Sequence, residues 1–323
     1  MEEETIIRIV FIGTAEFGVP ILKKLISNKN NVLKVVTQPD RPRGRGKKIL
    51  PPPIKKAVMD KKITIFQPEN INEDNFIKKL EKFKPDIILV VAYGQILSEK
   101  ILNVPRIGCI NIHGSLLPKY RGAAPINQVI INGEKETGIT FIDMNERVDD
   151  GDIVYKQKIE ILPDETFGEL SKRLSALSAE VTDKVLQDLK RRKLSRIPQD
   201  RQLATYTKKM SKQDGEIAWN NKSQKIYNTI RGTIPYPGAY TYYKGKKLKI
   251  TKAGILHDYK NKITLDCTVS GVVVGSEKDN LLISTGDEGI IKISRLIPAG
   301  AKEMSVRQFV NGYKIQIGDK LGE

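Results

Sequence analysis

The chain contains 323 residues, of which 39% are hydrophobic, 29% charged and 6% aromatic. This composition excludes a disordered or low-complexity chain, because enough apolar material is present to form a buried core. The 55 basic and 38 acidic side chains give a formal net charge of +17, which favours a polyanionic partner, either nucleic acid or an anionic membrane surface.

No part of the sequence resembles a membrane-spanning or targeting segment. No apolar run approaches the ~20 residues that a spanning helix requires, and residues 1–5 are acidic, unlike a signal or transit peptide. Cys109 and Cys267 lie far apart in the chain, which indicates neither a disulfide framework nor a zinc site. We therefore expect a cytoplasmic protein without a membrane partner.

Apolar, β-branched runs alternate with helical patterns through the first half of the chain. A buried strand is predicted at residues 6–12, and Pro20 then stands where the first turn of a helix tolerates it. Further strands are predicted at residues 32–36, 87–92, 108–113 and 138–144. Strands separated by helical segments indicate an α/β fold with a Rossmann-like, mainly parallel sheet and helices on both faces.

A long amphipathic helix is predicted next. It begins with the capping-box spacing of Thr166 and Glu169, has its apolar positions up to Leu189, and ends in the basic residues 190–193, which suit the negative end of a helix dipole. Residues 194–206 have no periodicity and are interpreted as a linker.

The pattern changes after Tyr206, where short β-rich runs recur about every ten residues. These runs are residues 239–243, 247–253, 270–274, 281–285 and 290–294, after a short helix at about 223–231. The spacing predicts a small, OB-like β-barrel. We therefore predict a first domain at residues 1–193, a linker at 194–206 and a C-terminal domain at 207–323. The last 117 residues carry 20 basic and 11 acidic side chains, a higher net charge per residue than the rest of the chain.

The turn between Gly13 and Gly18 stands where a dinucleotide-binding fold has its glycine-rich loop. It does not have the G-x-G-x-x-G spacing, and Val19 and Pro20 replace the Lys and Ser or Thr of a P-loop. A nicotinamide dehydrogenase is therefore disfavoured, and the turn is interpreted as a tight connection that packs a helix onto the sheet.

The predicted strand at residues 108–113 places polar side chains at its carboxyl end. Because side chains alternate between faces along a strand, Cys109, Asn111 and His113 share one face. Open parallel sheets bind their ligands at this edge, and unused polar groups in a central strand are unfavourable. Asn111 and His113 are therefore candidate functional residues, with a structural Asn/His pair as the alternative.

Four acidic residues follow the strand predicted at 138–144, within residues 146–152. They admit three interpretations: a solvated turn, a divalent cation site, or a carboxylate that works with His113. The spacing does not fit a calcium loop, and no histidine accompanies it. The irregular segment at residues 115–125 is suited to line a pocket for a flat heterocycle.

These motifs together resemble a known family. The run from Asn111 to His113, the following Ser-Leu-Leu-Pro and the Asp149-x-Gly151 spacing are similar to the formyltransferase family that uses 10-formyltetrahydrofolate. The resemblance implies that 10-formyltetrahydrofolate is consumed as a co-substrate and that no metal is needed. It also implies a catalytic trio of Asn111, His113 and Asp149, and a folate-binding loop of Ser115, Leu116, Leu117 and Pro118.

Within that family, the chain resembles members that formylate the methionine carried by initiator tRNA. The matching segments are residues 11–14, 37–42, 108–125, 235–239 and 298–304, so the resemblance covers nearly the whole chain. It implies formyl transfer to the α-amine of methionyl-initiator-tRNA for translation initiation, by an enzyme that we expect to be a monomer. It also implies that the basic C-terminal domain contacts the tRNA.

A basic segment follows the second predicted strand. It contains five cations within eight residues, namely Arg41, Arg43, Arg45, Lys47 and Lys48. Its prolines and glycines predict that it forms neither helix nor strand, and a connection of this length is usually functional or disordered. The resemblance implies that this loop docks on the acceptor end of the tRNA, with a solvated flexible loop as the alternative.

Two other functions are compatible with parts of the pattern. A formyltransferase acting on a sugar amine would have the same catalytic domain without the basic segment. A non-catalytic RNA-binding protein would use the basic C-terminal domain and would not depend on folate.

Overall fold

The computed structural model describes residues 7–28, 31–43, 46, 48–257, 268–277 and 279–322. The chain forms two compact units. The first contains Met1–Pro125, Glu136–Glu160 and Ser171–Thr207, and the second contains Ile126–Lys135, Ile161–Leu170 and Lys208–Glu323. The segment at 194–206 thus falls within the first unit, and two internal segments fall within the second. The domain ranges expected from the sequence remain a prediction.

The elements up to residue 207 are as follows. Strands β1 to β11 are Arg8–Gly13, Asn31–Val36, Arg41–Arg43, Lys48–Leu50, Thr64–Phe66, Ile87–Val91, Gly108–His113, Arg121–Gly122, Glu136–Asp143, Asp152–Glu160 and Tyr206–Thr207. Helices α1 to α6 are Val19–Ser27, Pro53–Val58, Asp74–Lys82, Glu99–Leu102, Pro125–Ile131 and Phe167–Lys190. At the start of α6, Glu169 Oε2 accepts from the Thr166 backbone N–H at 2.9 Å, as the capping-box spacing predicts.

A seven-stranded sheet organises the first unit, in the order β10-β9-β7-β6-β1-β2-β5. Strands β5, β2, β1, β6 and β7 pair in parallel, whereas β9 pairs antiparallel with β7 and β10 pairs antiparallel with β9. All five residues of β6 are buried, as expected for a central strand covered on both faces. The predicted α/β fold with a mainly parallel sheet is therefore confirmed.

This strand order fixes where a site can form. Strand β1 lies between β2 and β6, so the carboxyl ends of β1, β2, β6 and β7 meet at one edge of the sheet, which is where open α/β sheets bind ligands. Gly13 ends β1 in a tight turn, since a Cβ at this position would lie 2.8 Å from the Val91 carbonyl oxygen. Close packing accounts for this glycine without a nucleotide.

The second unit contains an antiparallel half-barrel. Strands β12 to β17 are Tyr240–Tyr243, Lys246–Leu256, Val273–Glu277, Asn280–Ser284, Ile290–Pro298 and Met304–Ser305, and the helices are α7, Ser223–Thr233, and α8, Val306–Tyr313. The strands pair in the order β12-β13-β16-β15-β14, with β17 on β16. Trp219, Ile226, Ile293 and Phe309 belong to its hydrophobic core. The predicted small β domain is confirmed, while α8 was missed although Ser305 and Gln308 form a capping box.

The prediction that the basic segment forms neither helix nor strand is wrong. Strands β3 and β4 pair as an antiparallel hairpin, with Arg41 opposite Leu50 and Pro42 opposite Ile49. Both strands of an isolated hairpin are edge strands, so Pro42, which lacks an N–H, can stand in one of them without breaking a ladder on its outer side.

Within the described part of the chain, no helix is both long enough and apolar enough to cross a membrane.

Candidate active site

Three polar side chains meet at the carboxyl end of β7. Asn111 Nδ2 lies 3.3 Å from Asp149 Oδ1, and His113 Nδ1 lies 3.5 Å from Asp149 Oδ2. The two strand residues converge because they are two positions apart on one face of β7. Asp149 reaches them from the loop between β9 and β10. The structure thus brings together the three residues that the sequence nominated.

Backbone contacts hold the Asp149 carboxylate. Its Oδ2 accepts a hydrogen bond from the Gly122 N–H at 2.8 Å, and the residue adopts a left-handed conformation with φ of 51°. Aspartate is among the few non-glycine residues that tolerate this region. Strand β8, which contains Gly122, is held in turn by parallel pairing with β11. One carboxylate oxygen therefore faces Asn111, and the other faces His113 and Gly122.

The imidazole of His113 is buried between two acceptors. Its Nε2 lies 2.9 Å from the Tyr120 carbonyl oxygen, and because a carbonyl can only accept, Nε2 carries a hydrogen. Nδ1 faces the Asp149 carboxylate at a distance beyond an ordinary N–H···O hydrogen bond. Catalytic hydrogen bonds are often long in free enzymes and shorten when substrate is bound. The Tyr120 carbonyl thus fixes the ring through Nε2, while Nδ1 is directed at the Asp149 carboxylate without an ordinary hydrogen bond to it.

This arrangement combines a hydrogen-bond donor with a proton acceptor. The Asn111 amide has two hydrogens, of which one is directed to Asp149, so the second can serve an incoming oxygen. Asp149 offers a carboxylate within reach of the same space. A donor beside a proton-transfer pair is suited to acyl transfer, in which negative charge develops on an oxygen while a proton leaves the attacking group.

The four residues of the nominated folate loop differ in exposure. Ser115 and Leu117 are fully buried, whereas Leu116 and Pro118 are half-buried. Thr140 of β9 fixes the loop, because its Oγ1 donates to the Ser115 carbonyl at 2.7 Å and accepts from the Leu117 N–H at 3.1 Å. The side chains of Leu116 and Pro118 are thus accessible to a ligand, whereas Ser115 and Leu117 are buried and fix the backbone of the loop.

Asp150 points away from the trio into a cluster of guanidinium groups. Arg121 Nη1 lies 2.6 Å from Asp150 Oδ1, and both side chains are nearly fully buried, at 2% and 5% exposure. Arg201 and Arg147 approach the other carboxylate oxygen at 3.1 Å and 3.5 Å. Burial raises the pKa of Asp150, but the guanidinium groups of Arg121 and Arg201 lower it by more, so this pKa lies below its usual value.

The contacts of Asp149 and Asp150 distinguish two of the four acidic residues within residues 146–152. Two of the four acids have separate tasks, since Asp149 faces Asn111 and His113, whereas Asp150 neutralises buried arginine. Across the residues that the structure describes, no group of three or more His, Cys, Asp or Glu side chains could hold a metal ion.

We predict that Arg121→Met destabilises the protein by about 3–5 kcal/mol, because it leaves the buried Asp150 carboxylate without its closest partner. Arg147→Met removes an exposed guanidinium from the same carboxylate and should change the free energy of unfolding by at most about 1 kcal/mol. Urea titrations followed by circular dichroism measure both. Equal effects of the two substitutions would contradict the structural role of the buried pair.

The Arg121–Asp150 ion pair should make the free energy of unfolding depend on pH. Because the pKa of Asp150 is lowered from 3.8 in the folded chain, its contribution is complete at neutral pH and is lost as the pH falls below about 4, through the folded-state pKa. The stability difference between the wild type and Arg121→Met should therefore shrink in acid. Urea titrations at a series of pH values test this, and a difference that grows in acid would contradict it.

The sequence did not indicate the individual contacts of three residues at the site. Tyr120 and Gly122 lie in the segment at 115–125 that was expected to line a pocket, but nothing in the sequence pairs them with His113 and Asp149. Gln199 contacts the Asp149 loop only in the folded chain, and the sequence carries no local signal for it.

Of the predicted tRNA-binding cations, Arg41, Arg43 and Lys48 belong to strands β3 and β4. Arg41 is exposed and pairs with Glu69 at 2.6 Å, and Lys48 is exposed. The backbone of Arg43 lies in β3, but its side chain, together with the whole of Arg45 and Lys47, lies outside the described residues. Ile49 is 70% exposed, so the hairpin presents apolar as well as basic groups.

A hydrogen-bond network ties down the base of the hairpin. Lys55 Nζ donates to Asp40 Oδ2 at 2.7 Å and to Gln67 Oε1 at 2.8 Å, and Gln67 Nε2 donates to Asp40 Oδ1 and to the Gln38 carbonyl. Hydrogen bonds from Gln67 and Lys55 lower the pKa of Asp40. The hairpin therefore leaves the sheet edge from a fixed base.

Comparisons with known proteins give a consistent result. The family model described as Formyl transferase matches residues 7–186, and the model described as Formyl transferase, C-terminal domain, matches residues 209–314. A methionyl-tRNA formyltransferase from Alkaliphilus oremlandii is 42% identical over 316 residues, which cover 98% of this chain and 100% of that protein. One from Geobacter metallireducens is 42% identical over 314 residues, covering 97% and 98% respectively.

Solved structures of low sequence identity share the fold. The sugar 3N-formyl transferase WlaRD, determined with dTDP and 5-N-formyl-THF, matches with a TM-score of 0.66 and 18% identity over 92% of this chain and 100% of its own. The methionyl-tRNA formyltransferase from Clostridium thermocellum matches with a TM-score of 0.54 and 20% identity, over 78% and 94%. At these identities the likeness concerns the fold alone.

Proposed function

The chain belongs to the formyl transferase family, and from this membership we propose its reaction. It transfers the formyl group of 10-formyltetrahydrofolate to the free α-amino group of methionyl-initiator-tRNA, which yields formylmethionyl-tRNA for translation initiation. The observation that carries this proposal is the convergence of Asn111, His113 and Asp149 at the carboxyl edge of the sheet. The acceptor follows from the named relatives, which are similar over nearly the full chain. We place the reaction in the cytoplasm and assign it to a monomer.

Asn111 stabilises the negative charge that develops during transfer. Its second amide hydrogen donates to the formyl oxygen as the carbonyl carbon becomes tetrahedral. A donor held in place before the reaction contributes roughly 2.7–4 kcal/mol of transition-state stabilisation. Asn111 is well suited to this task, because its position at the end of a buried strand and its bond to Asp149 restrict its side chain.

Asp149 and His113 move the proton that the attacking amine must lose. An α-amine has a pKa of about 8, and the adjacent ester lowers this pKa further, so the amine needs little activation to attack. Asp149 accepts the proton, directly or through a water, and returns it to the leaving nitrogen of the folate. His113, held at Nε2 by the Tyr120 carbonyl, faces Asp149 through Nδ1 and assists this transfer.

The residues at the sheet edge fit a folate. Leu116 and Pro118 offer half-buried apolar surface for a flat heterocycle. The bound folate supplies the formyl group. The buried residues Ser115 and Leu117 hold the loop that would support it.

The tRNA is bound by basic surface outside the trio. We propose that the acceptor end of the tRNA binds to the β3–β4 hairpin segment, through Arg41, Arg43, Arg45, Lys47 and Lys48. The basic C-terminal part of the chain makes further contacts with the phosphate backbone of the tRNA. The hairpin segment has five cations within eight residues and the C-terminal part has an excess of basic side chains, and phosphate contacts by such side chains dominate the affinity of proteins for nucleic acids.

We predict that the double substitution Arg41→Gln, Lys48→Gln weakens tRNA binding and reduces the slope of log affinity against log salt by about one for each phosphate that is no longer neutralised. Turnover at saturating tRNA should change little, because neither Arg41 nor Lys48 forms a hydrogen bond or ion pair with Asn111, His113 or Asp149. Lys100→Gln, which also removes an exposed cation paired with an acid, is the matched control. Filter binding at several salt concentrations measures both, and an unchanged slope in the double variant would remove the hairpin from the tRNA interface.

A product assay with alternative acceptors tests the proposed function. The protein is incubated with 10-formyltetrahydrofolate and either charged initiator tRNA or a nucleotide-linked amino sugar. We expect formylmethionyl-tRNA as the product, and no formylated sugar. Formylation of the sugar alone would indicate a sugar-amine formyltransferase, and tRNA binding with no formylation of either acceptor would indicate a non-catalytic RNA-binding protein.

A further inference from the structure

Gln199 lies in the irregular segment before β11, and its side chain contacts the loop that carries Asp149. Gln199 Nε2 donates to the Asp149 carbonyl at 2.8 Å and to the Gly151 carbonyl at 2.7 Å. Its Oε1 accepts from Arg121 Nη2 at 2.8 Å and from Arg121 Nε at 3.2 Å. One amide therefore connects the backbone on both sides of Asp150 to the buried guanidinium of Arg121.

The chemistry of its partners fixes the orientation of this amide. Carbonyl oxygens only accept hydrogen bonds and a guanidinium only donates them, so the NH₂ group must face the loop and the oxygen must face Arg121. Arg121 is itself held by Asp150 at 2.6 Å. The Gln199 side chain is thus hydrogen-bonded to the buried Arg121–Asp150 ion pair, and its amide cannot rotate without breaking these hydrogen bonds.

The loop needs such support because of its conformation at Asp149. The left-handed region is tolerated by aspartate but is sparsely populated, and it persists only where the surrounding contacts hold it. A Cβ at Gly151 would lie 2.0 Å from the Asp143 carbonyl oxygen, so the loop also passes close to the end of β9. A change in the backbone conformation at Asp149 would redirect its Cα–Cβ bond, and with it the carboxylate that faces Asn111 and His113.

We infer that Gln199 is a positioning residue for formyl transfer, which holds the backbone at Asp149 so that its carboxylate faces Asn111 and His113. The inference rests on the proposed function for its kinetic consequence, while its structural consequence can be measured without turnover. Gln199 contacts none of the three side chains of the trio and therefore acts only through the position of Asp149.

Kinetics of Gln199→Ala provide the first test. We expect kcat to fall about 10- to 100-fold, because a small misplacement of a reacting group has effects of this size, while KM for folate and for tRNA stays within about threefold. Gln199→Glu should be equally impaired, since its carboxylate would face the two carbonyls with no hydrogen to donate. Gln202→Ala, the same substitution at an exposed glutamine three residues along the chain, should retain wild-type kinetics.

Nuclear magnetic resonance of the histidine ring provides a second readout. The chain has only two histidines, His113 and His257, so His257→Gln assigns their ring ¹⁵N signals. We expect the His113 signals to move in both Gln199 variants and to stay in place in Gln202→Ala, because only the former release the carboxylate beside Nδ1.

These two measurements separate failure of the inference from failure of the proposed function. Wild-type kcat in Gln199→Ala, full activity in Gln199→Glu, or unmoved His113 signals would each overturn the positioning role. A parallel loss of kcat and thermal stability with unmoved His113 signals would also overturn it, because it would indicate a structural role only. If the wild type formylates no acceptor, the proposed function fails, yet the His113 signals still decide whether Gln199 positions Asp149.

Discussion

Replacing Asn111 by alanine is expected to lower kcat about 100- to 1,000-fold, the usual effect of removing a donor from a developing oxyanion. His113→Ala should have an effect of similar size, because it removes the imidazole that faces Asp149. Both variants should bind tRNA as the wild type does, since neither side chain lies on the basic hairpin. The expected signature is therefore a loss of turnover at unchanged affinity.

Steady-state kinetics and filter binding on the same preparations measure this signature. Asn103→Ala, at an exposed asparagine that follows α4, is the matched control and should retain wild-type turnover. Asn111→Asp tests whether the hydrogen-bond donor matters rather than the shape of the side chain, because aspartate has nearly the same volume but can only accept. We expect its kcat to be at least as low as that of Asn111→Ala. Near-normal kcat in Asn111→Ala would remove this residue from the mechanism.

Asp149→Asn is expected to lower kcat by about 100- to 10,000-fold, the range for loss of a general acid–base residue. The substitution keeps the volume of the side chain and an oxygen that can accept from the Gly122 N–H, so the loop should keep its conformation. What is lost is the carboxylate that accepts the proton from the attacking amine.

Two neighbouring acids serve as comparisons for Asp149. Asp152 is half-buried and three residues along the chain, and Asp152→Asn should retain wild-type turnover. Asp150→Asn should lower the free energy of unfolding, because Asp150 pairs with buried Arg121. If Asp152→Asn loses turnover while Asp149→Asn does not, the carboxylate of the trio has been assigned to the wrong residue.

Local patterns in the sequence predicted the parts of the site that lie on regular elements. Asn111 and His113 follow from the two-residue alternation of a strand, and their place at its carboxyl end follows from the βαβ pattern. The pairing of either residue with Asp149 does not follow from any local pattern, since 38 residues separate Asn111 from it. Its assignment among the neighbouring acids came from a resemblance.

Residues that act through tertiary contacts could not be predicted. Arg121 is almost fully buried, although an arginine in an irregular segment is ordinarily assigned to the surface. Gln199 lies in a segment without periodicity, and its role depends on hydrogen bonds to residues far away in the chain. The hairpin was missed for a different reason, because proline and glycine content was read as excluding strands, while a two-stranded ribbon with only edge strands accommodates Pro42.

A crystal structure of the protein with a stable N10-formyl analogue of folate would test the convergence of the trio on one carbonyl most directly. The proposed chemistry predicts a formyl oxygen about 2.7–3.1 Å from Asn111 Nδ2, with Asp149 and His113 beside the formyl carbon and the heterocycle on Leu116 and Pro118. An analogue bound with its formyl group at more than about twice that distance from Asn111, and on the far side of the sheet edge from Asp149, would contradict it.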